Sequence, residues 1–174
     1  LSNSVSLHAA RCVYFANVHS RLRYGIIFWG SSSCSIQTFR LQKKIIRIMK
    51  KCLPRDSCKP LFIELGILPL PCLFIYESVI FVKNDLLNGG NIFSCNIDIY
   101  NYNTRRRNHV HQVSVSTAQY KKSTYNTCTL LYNALPDDIK QLKSVHKFKL
   151  KVKSFLLQNC FYTIRDYTDR EKEK

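Results

Sequence analysis

Apolar residues return along much of this chain at helical intervals. Between Ser35 and Cys52, Leu41, Ile45, Ile48, Met49 and Cys52 fall on one predicted helix face, and Leu53-Pro54 ends the segment. Arg40, Lys43, Lys44, Arg47, Lys50 and Lys51 fill the other face. A second amphipathic helix is predicted from Val145 to Gln158, capped by Ser144. Val145, Phe148, Val152, Phe155 and Leu156 form its inner stripe, with Lys147, Lys149, Lys151 and Lys153 outside or flanking it. A third segment enters through Pro69 and ends near Leu87, before Asn88-Gly89-Gly90. Apolar residues ring it on most sides, so it is expected to be the core helix. Shorter helices are predicted over 5–18 (capped by Ser4 or Ser6), Ser20–Trp29 with Ile26–Trp29 buried, Lys59–Leu65, and Tyr120–Asn133. Another short helix follows Leu135-Pro136, with Asp137 and Asp138 in its first turn. Residues 88–118 lack periodicity and read as a polar loop with a candidate hairpin, Ile92–Tyr100 against Val110–Val115. The charged tail after Tyr167 is expected to fray. The pattern predicts a mainly α, irregular helical bundle with a long polar loop and one candidate short β-hairpin. Its parts are a helical core (1–87), the polar linker (88–118) and a C-terminal helical segment packing on the core (119–174).

Charge adds a partner class to this picture. The 174 residues hold 27 Lys and Arg against 11 Asp and Glu, a net +16. Residues 1–55 contain ten bases and no acid; 56–98 contain five acids and two bases; 99–165 contain twelve bases and two acids. Two basic blocks thus flank an apolar, slightly acidic one. Such a distribution suits a polyanion, either nucleic acid or an anionic membrane surface. At 45% hydrophobic residues the chain is too apolar for a disordered tail, and five Gly with five Pro exclude low-complexity classes. The longest strongly apolar run, Leu65 to Tyr76, is twelve residues and holds two prolines. A spanning helix needs about 20, so no membrane crossing is expected. No signal-peptide pattern precedes it, and a start at Leu1 reads as a processed chain or a fragment. Eight cysteines are scattered without a CxxC, which favours reduced thiols in an intracellular chain, cytoplasmic or nuclear, over a disulfide or zinc framework.

No constellation here resembles an active site. The one adjacent carboxylate pair, Asp137-Asp138, follows Leu-Pro at a helix start, where capping explains it. His109 and His111 flank Val110 in a basic loop and read as solvated. No glycine-rich phosphate loop and no GxSxG occurs. No catalytic residue, metal ligand or cofactor is expected within this chain. Three basic groups are the candidate contacts to nucleic-acid phosphates. They are Arg40, Lys43, Lys44, Arg47, Lys50 and Lys51; Arg105, Arg106 and Arg107, beside Tyr102; and Lys147, Lys149, Lys151 and Lys153. The first group has no acid among it, unlike an ordinary solvated face.

Three ordered stretches carry a family resemblance. His19 to Gly30 resembles the pattern H-x-x-L-x-Y-G-I-x-x-W-G, through Tyr24, Gly25 and Trp29. Leu41-Gln42-Lys43-Lys44-Ile45-Ile46-Arg47-Ile48 resembles L-Q-K-K/R-x-I/L-R-x-I. Thr104-Arg105, then Tyr132-Asn133-Ala134-Leu135-Pro136 through Ile139-Lys140, then Phe148-Lys149, resemble Y-x-T-R, W/Y-N-x-L-P-x-x-I/L-K/R and F-K-x-x-L/V-K. Over residues 20–165 the chain thus resembles the region after the palm of a non-LTR (LINE, jockey-like) retrotransposon reverse transcriptase. The resemblance implies a thumb-like core and downstream helices that grip template–primer RNA and DNA without sequence preference. It also implies that the palm, with its aromatic-x-Asp-Asp motif and Mg2+, lies upstream of Leu1 as a partner domain. The chain departs from some relatives in lacking a terminal Cys/His zinc knuckle. The expected function is that of a non-catalytic fragment of an RNA-directed DNA polymerase. The alternatives are an inert translated relic and a recruited basic nucleic-acid-binding protein.

Overall fold

The computed structural model describes residues 6–101 and 107–170. It is mainly helical, and its apolar residues gather into one hydrophobic core. The core is built around a central helix that is apolar on most sides and must therefore be covered on most sides. That helix, here α6, spans Leu70–Leu87 and buries Leu73, Phe74, Ile75, Val79, Ile80 and Val82, among others. It packs against α4 (Ser35–Lys50), α9 (Thr124–Asn133), α11 (Val145–Asn159) and α12 (Ile164–Asp169). The short α5 (Lys59–Leu65) lies between α4 and α11. No single helix among the described residues is long and apolar enough to cross a membrane.

The N-terminal stretch is helical from Leu7 to Arg23, joining the two segments expected there. It runs as α1 (Leu7–Val13), a wider π-helical turn over Tyr14–His19, and α2 (Ser20–Arg23). Ser6 accepts the Ala9 N–H at its start. Gly25, at φ 58°, breaks the helix and starts α3 (Ile26–Trp29). Gly30 follows where backbone meets the core helix. A Cβ there would lie 2.4 Å from Phe74 Cδ2, so only glycine fits.

Helix α4 is rotated relative to the hydropathy reading. Phe39, Gln42 and Ile46 are buried, while Leu41 and Ile48 are 62% and 55% exposed. Gln42 explains the phase. Its Nε2 donates to Tyr14 Oη at 2.9 Å and to the Leu68 carbonyl at 3.0 Å. Its Oε1 accepts the Leu70 N–H at 2.8 Å, satisfying an orphan donor at the start of α6. A fully paired amide is a stable occupant of a core position, and it draws this face of α4 inward.

The 88–118 segment keeps only a trace of the expected pairing between its two sides. It contains a helical turn, α7 (Asn96–Ile99), and an antiparallel bridge between Cys95 and Val110 in place of paired strands. Backbone hydrogen bonds join its two sides, from the Asn96 N–H to the His109 carbonyl at 2.9 Å and from the His111 N–H to the Ser94 carbonyl at 2.8 Å, and side chains of neighbouring helices pin it. Asp85 accepts the Ile92 and Phe93 N–H groups, and Asn133 exchanges two 2.9 Å hydrogen bonds with the Val110 backbone. Phe93 is buried and stacks on Tyr125 with ring centroids 5.0 Å apart. The predicted 120–133 helix is two helices, α8 (Ala118–Lys121) and α9, because Ser123 caps a fresh start. The short α10 (Asp137–Lys140) and α11, capped by Ser144, lie where expected.

Order continues past Tyr167 as far as Arg170, and the rest of the tail expected to fray, 171–174, lies outside the described residues. Tyr167 is buried and its hydroxyl donates to the Leu131 carbonyl at 2.9 Å. Arg170 donates to the Ala134 carbonyl and lies over the Phe155, Phe161 and Tyr167 rings. These contacts compensate the cost of ordering the chain up to Arg170.

Candidate nucleic-acid interface

The five bases of α4 and Lys51 at its C-cap divide by what they touch. Lys43 Nζ lies 4.8 Å from the centroid of the Phe39 ring and 5.6 Å from that of Tyr162. Arg47 Nε donates to the Asp56 carbonyl at 3.0 Å, and Lys50 is paired with Glu64. These three are committed to the fold. Arg40, Lys44 and Lys51 are exposed and have no carboxylate partner among the described residues. They form a row on the solvent side of the helix, and Ile36, Leu41 and Ile48 emerge on that same side.

On α11, Lys147 and Lys151 are exposed, whereas Lys149 and Lys153 are half-buried. Phe148, Val152 and Leu156 turn inward as predicted. Lys153 lines a small cavity with His19, Arg23 and Glu77, and Arg23 Nε bonds Glu77 at 2.6 Å. His19 is held neutral there, its pKa lowered first by burial and then by the charges of Arg23 and Lys153. Arg105 and Arg106 lie outside the described residues. Arg107 is exposed and lines a cleft with Lys83 and Lys140.

The expected roles of the other polar residues divide similarly. Asp137 and Asp138 sit in the first turn of α10, and Asp137 pairs with Lys140 at 2.8 Å. That hydrogen bond and charge hold its carboxyl below the usual range. His111 Nδ1 is 3.2 Å from Asn96 Oδ1, and His109 lines the Lys83 cleft rather than open solvent. All eight cysteines are free thiols; Cys58, Cys72, Cys128 and Cys160 are buried, while Cys12 and Cys34 are exposed. Burial raises the pKa of all four buried thiols. No group of three or more metal-ligating side chains occurs among the described residues.

Two features escape a reading of the sequence. Tyr24 is 86% exposed, and Phe28 is 74% exposed although the Ile26–Trp29 stretch was expected to be buried. Only Ile26 is fully buried there, because four residues of α3 cannot turn every side inward. The other is Lys83, which hydropathy places only as one residue on the core helix.

No family model, no curated protein and no solved structure matches this chain.

Proposed function

We propose that the chain is the region following the palm of a non-LTR retrotransposon reverse transcriptase, and that it holds template–primer phosphates without itself catalysing polymerisation. The observation that carries this is the solvent row of α4. Arg40, Lys44 and Lys51 stand clear of every described carboxylate, on a helix with no acid. Arg40 to Lys51 is eleven residue steps, about 16 Å along the helix and its C-cap, enough to meet several phosphates of a duplex. The ordered motifs between His19 and Lys149 support the same reading, as does the helical fold. Lys147 and Lys151 supply a further phosphate-facing pair on α11.

The test is binding of an RNA–DNA duplex by the full chain across a salt series. Binding should be independent of base sequence and steeply salt-dependent. The variant R40Q/K44Q/K51Q should lower the magnitude of the log–log salt slope by about 3, near one unit for each phosphate left without its cation. Binding no stronger than that of an unrelated protein of equal charge sinks the proposal.

One observation favours a second reading. Ile36, Leu41 and Ile48 lie exposed among the three bases, as on a face that packs against protein. A relic without independent activity would keep such a face and fail the duplex assay.

A further inference from the structure

Lys83 is 7% exposed, so its ammonium group is nearly out of water. Buried charges are ordinarily paired with an opposite charge. This one donates to the Lys140 carbonyl at 2.8 Å and sits 5.3 Å from the Phe148 ring centroid, with no carboxylate in reach among the described residues. An ammonium has three donors, and one hydrogen bond leaves two unused. Burial accordingly lowers its pKa from the ordinary lysine value.

The same lysine lines a cleft of about 550 Å³ between Cys95, residues 107–109 and α10. Arg107, Asn108 and His109 form one side; Lys140 and Tyr132 are also in its wall. Asp137 is there too, but Lys140 neutralises it at 2.8 Å. Lys83 and Arg107 remain as two cations without a carboxylate counter-ion among the described residues. The fixed fork of a guanidinium suits two oxygens of a tetrahedral oxyanion, and an ammonium suits a third. The volume lies in the range of small-molecule sites and far exceeds a bare phosphate. Tyr132 and Leu86 offer apolar surface to whatever the phosphate carries.

We infer that this cleft is a binding site for a phosphate monoester bearing an organic group of nucleoside size, with Lys83 and Arg107 holding the phosphate. The ligand chemistry is shared by a free nucleoside monophosphate and by the phosphorylated end of a nucleic-acid strand. The cleft is independent of the α4 row, which lies on a different helix.

The experiment follows backbone amides of Asn108, His109 and Gln141 by NMR in the full chain. Adenosine monophosphate, inorganic phosphate, adenosine and a short oligonucleotide with or without a 5′-phosphate are the probes. The monophosphate or the 5′-phosphorylated strand should shift these amides saturably, and whichever does so names the source. Arg107→Gln, at an exposed loop position, should weaken binding at least about tenfold with the fold intact. Lys83→Met should do the same where it folds, and R40Q/K44Q/K51Q should leave binding unchanged. Three outcomes overturn the site: no saturable shift with either phosphorylated probe, equal binding of adenosine or inorganic phosphate, or unchanged affinity in Arg107→Gln.

Discussion

Gln42 is 1% exposed and bonds three residues distant from it in sequence: Tyr14, Leu68 and Leu70. Replacing it with leucine keeps the volume and removes every one of those hydrogen bonds. The Leu68 carbonyl and the Leu70 N–H would stay buried and unpaired, at about 1–3 kcal/mol each. Some of that is offset by the added apolar surface. Gln42→Leu should therefore destabilise the fold by about 2–4 kcal/mol, read as a shift in urea midpoint at unchanged m-value. A change under about 0.5 kcal/mol would mean that these hydrogen bonds contribute nothing net. The same residue shows a limit of hydropathy. Glutamine counts as polar in any periodic pattern, and only its three partners, remote in sequence, make it a core residue. Lys83 is obscure for a related reason, since its burial follows from the packing of α6 against α11 and α10.

At the scale of elements, the strongly patterned helices are the legible ones. Lys59–Leu65 is legible to the residue because Pro60 opens it and Gly66, at φ 63°, closes it. The core helix and α11 follow from continuous apolarity and a clear stripe with a serine cap. Helix α4 is legible as a helix but not in phase. The predicted stripe is kept at Ile45 and Met49, which pack against the core, and lost at Leu41 and Ile48, because Gln42 draws Phe39 and Ile46 inward. The phase is testable. Leu41→Lys should change stability by less than about 0.5 kcal/mol, as surface substitutions do. Ile46→Ala should cost about 2–4 kcal/mol, because it empties a fully buried site. The opposite ranking would restore the hydropathy phase, with Leu41 and Ile48 turned into the core. The pinned loop is legible only as a trace of pairing, Cys95 against Val110, because Asp85 and Asn133 hold the rest through side-chain hydrogen bonds, which leave no period in the sequence. The basic residues of the candidate interface are legible as a group. Which of them remain free is not, since Glu64, Asp56 and Tyr162 come from other elements to engage Lys50, Arg47 and Lys43.

For the whole molecule the governing quantity is the net charge of +16 on 174 residues. The described residues form three ion pairs, Arg23–Glu77, Lys50–Glu64 and Asp137–Lys140. Most bases are thus left to repel one another across a folded body far smaller than the unfolded chain. Compaction raises that repulsion, so it opposes folding. Screening should relieve it. From about 0.01 M to about 0.15 M salt the Debye length falls from about 30 Å to about 8 Å, which removes the long-range part and spares the close pairs. The melting temperature should accordingly rise with sodium chloride. A gain of about 1 kcal/mol corresponds to about 2–4 °C for a chain of this size. Scanning calorimetry at the two salt levels measures it. Lys122→Glu, at an exposed position, should raise the melting temperature at low salt and flatten its salt dependence. A melting temperature that falls with salt would show that the three ion pairs outweigh the repulsion. The basic blocks would then be part of what stabilises the fold, rather than a cost that a polyanion relieves on binding.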